Sequence, residues 1–279
     1  MHCAARMDEI WVPTEWHKDV FYRLFQQQGS ISSMPLITII PEAVDTSLFN
    51  PYYIQSTTIK RRIVCNDHRY FEFLSIFKWE YRKGWDVMLD AYWNAFTRND
   101  HVLLRIRSYV PNTSAGDRNI TRMIEIYAKK KYNKELFELA ANNTEVIPPV
   151  ETHLTREDMR DLLASANAFV LSTRGEGWGL PIAEAMAMAL PVIVTNYSGP
   201  TAFTNIENAY LIPVLSELDE YSFAKPNVEV LTTLFRQVIL ESSEEGGYLA
   251  QEKGLKAREK MKEISPDSIV CKMNDRLRY

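Results

Sequence analysis

A chain of 279 residues that is 46% hydrophobic and 24% charged has the make-up of an ordinary globular protein, with length for one large or two modest domains. Its formal net charge of −4 gives no general attraction for nucleic acid or anionic lipid, so any phosphate site has to be local. Cys3, Cys65 and Cys271 are too few and too far apart for a disulfide framework or a zinc pattern, no apolar run reaches the length of a membrane span, and the first residues lack the apolar core of a signal peptide.

These features read as reduced thiols in a cytoplasmic protein. The N-x-S/T triplets at Asn112, Asn119, Asn142 and Asn196 then read as chance. Residues 8–13 (DEIWVP) make a short apolar strand, and Thr14 is placed to cap a helix over 15–28 that Gly29 ends. Residues 37–45 begin with a β-branched run that Pro41 stops. Residues 51–67 are polar and without clear periodicity, as expected of a linker or an excursion.

From Tyr70 onward the pattern becomes regular. Strands are expected at 71–77, 102–106, 145–147, 168–172, 191–195 and 209–212. Helices are expected at 85–96, 120–132, 134–142, 155–165 and 181–189, with Thr155 and Asp158 spaced almost as a capping box. The chain from about 228 reads as helical. Strand and helix alternate, and the strands are apolar on both faces. This predicts an α/β fold: a Rossmann-like parallel sheet with helices on both faces and a helical C-terminus.

The most informative stretch is 174–191, RGEGWGLPIAEAMAMALP. It follows a buried strand, so it lies at the carboxyl end of the sheet, where open α/β sheets bind ligands. Gly175, Gly177 and Gly179 let the backbone approach a ligand closely. Pro181 suits the first position of the next helix, and Leu180 before it has no side-chain oxygen to cap the free amides, which leaves them for an anion. Glu176 in the loop and Glu184, expected in the first turn of the helix, could each accept a pair of sugar hydroxyls. Taken singly, Glu184 also reads as a helix-dipole residue on a solvated face and Glu176 as a loop charge.

A second cluster, 78–84 (KWEYRKG), joins a strand to a helix. Lys78, Arg82 and Lys83 crowd a helix N-terminus, the unfavourable end for cations, unless an anion lies between them and the amides. A solvated basic turn is the alternative. His17, alone on an amphipathic helix, reads as a surface or interface residue. Trp85 and Trp93 read as core.

Together these segments resemble the family 4 retaining glycosyltransferases of GT-B fold, the "glycosyl transferases group 1" domain. EGWGLPIAEAMAMALPVI resembles the family's E-x7-E signature, with Glu176 and Glu184 at the required spacing. FKWEYRKGWDVML resembles its GR-x4-KG segment, with Lys78 in place of the usual Arg and Lys83 in place of the usual Lys. DEIWVPTEW, IIPEAVDTSLFNP and TNYSGPTAFTNIENAYLI follow the order of such enzymes, so the resemblance covers nearly the whole chain.

The resemblance implies a hexosyl transfer from a UDP- or GDP-sugar with retention of configuration. It assigns Lys78 and Lys83 to the donor diphosphate and Glu184 to the ribose hydroxyls. Glu176 with the backbone of Gly177, Trp178, Gly179 and Leu180 would hold the hexose, and Pro181 counts among the donor-binding residues. The loop 149–153, with Val150, would lie near the base. Glu176, Lys83 and Lys78 would be the catalytic set, stabilising the leaving group. No cofactor and no metal are expected, because no D-x-D motif is present.

Two departures stand out. Ala202 in SGPTAF replaces a glutamate common among relatives. Relatives also carry, ahead of the DEIWVP strand, a whole Rossmann-like domain with the acceptor site and a histidine near the reacting carbon. The expected organisation is therefore a remnant of that domain (1–35), a hinge (36–69), the donor domain (70–243) and C-terminal helices (244–279). The remnant strand and helix are expected to pack poorly, exposing Trp16, Phe21 and Phe25. A truncated enzyme of this kind would need a protein partner for the absent half. Two alternatives remain at this point: an inactive nucleotide-sugar-binding module, and a nucleotide-sugar epimerase of GT-B fold, which the spacing of the two glutamates does not favour.

Overall fold

The computed structural model describes residues 7–52, 70–110, 118–133, 144–147, 154–221 and 223–277. The expected helix over 134–142, most of the polar linker, and Cys3 and Cys65 lie outside them; Cys271 is exposed and unbonded. Among the described residues, no helix is long and apolar enough to cross a membrane.

Strand β1 (Glu9–Val12), helix α1 (Glu15–Gln27) and strand β2 (Leu36–Ile39) form a small parallel two-stranded unit. Thr14 caps α1 by accepting the backbone N–H of His17, and Gly29 follows in the left-handed conformation at φ +64°. Phe25 is 2% exposed, and Trp16 and Phe21 are half-buried. The expected apolar patch therefore does not form from those three residues. They pack inward because α1 lies over its own strands and against the segment 199–202, while Tyr22 and Leu24 face solvent.

The larger sheet has six strands, all parallel: β3 (Phe71–Lys78), β4 (Val102–Tyr109), β5 (Thr144–Ile147), β6 (Ala168–Leu171), β7 (Val192–Thr195) and β8 (Tyr210–Ile212). Their order across the sheet is β5-β4-β3-β6-β7-β8, with helices around it. Strands β6 and β7 are buried at every residue, which explains their unbroken apolar runs. The sequence order reverses between β3 and β6, so the topological switch point lies between their carboxyl ends.

The connecting helices are α2 (Trp85–Ala95), α3 (Ile120–Tyr132), α4 (Arg156–Ala164) and α5 (Leu180–Ala187). Helix α4 opens on a complete capping box from Thr155 and Asp158. Helix α2 is buried along almost its whole length because α6 (Val228–Glu241) covers it. Phe235 of α6 meets Phe73, Tyr92 and Phe96, with ring centroids 4.8–6.1 Å apart.

Helix α7 (Leu249–Lys262) packs on α5 so closely that a Cβ on Gly254 would lie 2.1 Å from the Ala189 carbonyl oxygen. The last helix, α8 (Pro266–Leu277), returns to the small unit: Arg276 Nε is 2.7 Å from Glu9 Oε1 in β1. Arg258 of α7, 6% exposed, donates to the Phe49 carbonyl at 2.9 Å and also to the Ala187 carbonyl. One buried guanidinium thus joins the segment after β2, helix α5 and the C-terminal helices.

Candidate functional site

Two loops leave the sheet at the switch point, one after β3 and one after β6. The first, Trp79–Gly84, closes as a single 3-10 turn over Tyr81–Lys83 and enters α2 through Gly84 at φ +67°. No other residue fits there: a Cβ on Gly84 would lie 1.9 Å from the Ser172 carbonyl oxygen. The second loop begins at Ser172, whose hydroxyl donates to the Gly84 carbonyl at 2.8 Å. Thr173 Oγ1 and the Arg174 backbone N–H both reach the Arg82 carbonyl, at 3.1 and 2.7 Å.

Arg174 locks the pair together. Its guanidinium lies 3.9 Å over the Tyr81 ring, donates to the Tyr81 carbonyl at 2.9 Å and grips Asp86 bidentately at 2.7 and 2.6 Å. Asp86 sits in the first turn of α2, the favourable end for a carboxylate. Tyr81 donates to Asp219 at 2.9 Å, and burial together with that bond pushes its phenol up to about 12.

This zipped pair of loops brings Lys83 and Glu176 together. Lys83 Nζ is 2.5 Å from Glu176 Oε1, and Arg82 Nη1 is 3.4 Å from Oε2. Glu176 is 9% exposed, so the pairing is largely shielded from water. The crowding of cations at a helix N-terminus, which a sequence reading ascribes to a bound anion, is relieved here by a carboxylate from the neighbouring loop.

The segment after β7 holds the loop from its other side. Ser198 Oγ accepts the Glu176 backbone N–H at 2.9 Å, and the Gly199 N–H donates to the Glu176 carbonyl at 3.0 Å. A Cβ on Gly199 would lie 1.9 Å from the Gly177 carbonyl oxygen. Ser198 itself adopts φ +60°, a conformation costly for a residue with a Cβ, held by this bond network.

Helix α5 begins differently from expectation. Gly179, at φ +97°, is the N-cap, Leu180 is the first helical residue, and Pro181 is the second rather than the first. Glu184 consequently lies in the second turn, not the first. The N–H groups of Ile182 and Ala183 already bond to the Gly179 carbonyl, and Pro181 has none. The amides left for a ligand are therefore those of Gly177, Trp178, Gly179 and Leu180, to which no described residue offers an acceptor. Gly177 and Leu180 are exposed, whereas Trp178 is buried against Phe203.

Glu184 does not join the Lys83–Glu176 pair. It is half-buried with no side-chain hydrogen-bond partner among the described residues, and burial pushes its carboxyl up to about 7 against the opposing pull of Arg156. Lys78 ends β3 opposite Tyr109 and is exposed at the carboxyl edge of the sheet. Val150 and the loop 149–153 lie outside the described residues. Ala202 is exposed on the short turn that faces α1. No cluster of metal-ligating side chains occurs among the described residues.

Arg174, Ser198 and Gly199 were not singled out as site residues from the sequence. The Ser-Gly-Pro run directly after a buried strand was the available signal for the last two. Arg174 carried none, because its partners Tyr81, Asp86 and Asp219 are 45 or more residues away along the chain and meet it only through the fold.

Residues 70–225, more than half of the chain, match the family model described as glycosyl transferases group 1. No curated protein matches the chain. Among solved structures, the sucrose-phosphate synthase of Thermosynechococcus elongatus aligns at 17% identity and TM-score 0.73, over 99% of this chain and 59% of its own. A glycosyltransferase from Rickettsia africae aligns at 14% and 0.70, over 96% and 62%. Anabaena HepE, solved with UDP and glucose, aligns at 14% and 0.68, over 99% and 65%. Such identities show the fold alone, which is of GT-B type, and the chain spans roughly six-tenths of the length of each.

Proposed function

The chain belongs to the glycosyl transferases group 1 family, and from that premise we propose that it holds the nucleotide diphosphate sugar in a hexosyl transfer of the retaining, family 4 kind. The observation that carries this reading is the meeting of Lys83 and Glu176, 2.5 Å apart, where two loops converge at the switch point of the sheet. A cation and a carboxylate placed there suit the two ends of the donor.

Lys83 and Lys78, with Arg82 beside them, would gather the charge that grows on the departing nucleoside diphosphate. The free amides at the start of α5 add their dipole to the same task. Glu176, once Lys83 turns to phosphate, would accept from hexose hydroxyls. Glu184, a half-buried carboxyl short of hydrogen-bond donors, would take the ribose hydroxyls, which restore the bonds that burial removed. Pro181 shapes the entry to that helix, and Val150 is proposed to lie near the base. No metal takes part in this scheme.

Acceptor binding is proposed to need a further domain, from sequence beyond these 279 residues or from a partner chain. Titration calorimetry of the chain with UDP, GDP and their glucose and mannose conjugates tests the donor site. Saturable binding to at least one is expected, with Lys83→Ala and Glu184→Ala each weakening it by about tenfold or more, the scale of one charge-assisted hydrogen bond. A folded chain that binds none of the four would refute the proposal.

A further inference from the structure

The first turn of α1 lies against the loop that carries Glu176. His17 points its ring at Gly177, with Nε2 3.9 Å from the place a Cβ on that glycine would occupy. The other ring nitrogen, Nδ1, is 2.8 Å from Thr14 Oγ1. That hydroxyl oxygen already accepts the His17 backbone N–H at 3.3 Å, so its own proton is free for Nδ1. The assignment leaves a neutral imidazole protonated on Nε2, and partial burial, which disfavours the imidazolium, acts in the same direction.

The ring is also held from its side. Trp16 meets it edge-on with centroids 5.1 Å apart, and the same indole meets Tyr197 at 6.1 Å. Tyr197 precedes Ser198, which accepts the Glu176 N–H. One chain of contacts thus sets His17 and the Glu176 loop in register. Gly177 is exposed, and no described residue bonds to Nε2. A positioned N–H donor facing an exposed glycine suits a sugar oxygen lying over that glycine.

Resting on the donor-site reading above, we propose that His17 is a further sugar-contacting residue: its Nε2–H donates to an oxygen of the hexose lying over Gly177. Helix α1 then reads the sugar, while the loops after β3 and β6 hold the nucleotide diphosphate. The Thr14 hydroxyl is the group that orients the ring.

The test compares affinity for the nucleoside diphosphate with affinity for its sugar conjugate, using UDP and GDP with glucose and mannose and following the pair that the unaltered chain binds. His17→Ala should weaken the conjugate by roughly three- to tenfold, the scale of one neutral hydrogen bond, and leave the free diphosphate within twofold. His17→Gln, which can place an amide N–H near the same point, should restore part of the loss. Equal affinity of His17→Ala and the unaltered chain for the conjugate would overturn the proposal and leave the donor site standing. Equal loss of diphosphate and conjugate would overturn it too, by showing that His17 only supports the loop. Failure of the unaltered chain to bind any diphosphate would remove the donor site and this contact together.

Discussion

Burial holds the Glu184 carboxyl in a state that a bound donor would have to change. Its ordinary value of 4.5 rises to about 7 in the fold. A raised value means that the folded chain keeps this proton where the unfolded chain releases it. The associated stability is complete below about 4.5 and is lost as pH rises through 7. Glu184→Gln should therefore leave stability unchanged at low pH and raise it above pH 7, measurable as a pH-dependent difference in denaturation midpoint. Donor binding should respond in the opposite sense, because the ionised form is the one that accepts both ribose hydroxyls. Between pH 8 and pH 5.5 affinity for a nucleotide sugar should fall roughly 30-fold in the unaltered chain, the change in ionised fraction for a group titrating near 7, and much less in Glu184→Gln. A diphosphate diester keeps its charge through that range, which makes the conjugate the proper titrant. A flat profile in calorimetry would remove Glu184 from the site.

At the scale of elements, the site is a consequence of two loops that cannot separate. Gly84 and Gly199 are the positions where each loop's partner comes within bonding range of a would-be Cβ, at 1.9 Å in both cases. Gly84→Ala and Gly199→Ala should each lower stability by about 3 kcal/mol or more, the scale of a clash that the backbone has to relieve. Gly175→Ala, with nothing near its Cβ, should be close to neutral. Thermal or denaturant melts of the three variants decide this, and equal midpoints would show that the loops are not locked. Among the described residues of 70–212, the strand and helix assignments were legible because alternating apolar runs and caps such as Thr155 with Asp158 are local signals. The start of α5 was misplaced by one residue because Gly179, not Leu180, turns the chain. A left-handed glycine and an ordinary one look alike in a sequence.

At the scale of the whole molecule, Arg258 ties three parts of the chain through the carbonyls of Phe49 and Ala187. Arg258→Met keeps the length and apolar stem but leaves both oxygens without this donor. It should cost about 2 kcal/mol, the scale of a buried acceptor left unsatisfied. The loss should appear as a single lower denaturant midpoint. Two separate transitions would show instead that the small β1–α1–β2 unit unfolds apart from the larger sheet. The return of α8 to β1 through Arg276 and Glu9 links the same parts at the surface. The Arg258–Phe49 and Arg276–Glu9 contacts each join residues more than two hundred positions apart, and neither arginine carries a sequence signal that distinguishes it from its neighbours.

What the sequence by itself determined was periodic or chemical and local: the alternation of buried strands and helices, the caps, the glycine-rich run beside Glu176, and the spacing of Glu176 to Glu184. Those features sufficed for a parallel α/β fold and for a family resemblance. Only the tertiary structure decided that Lys83 and Glu176 touch. It alone placed Arg174 as the clasp between two loops, and brought His17 of a helix expected to pack poorly against Gly177. The physical reason is that strand order in a parallel sheet depends on crossovers. Positions 83 and 176 become neighbours only because β3 and β6 lie side by side, and no local pattern in the chain records that adjacency.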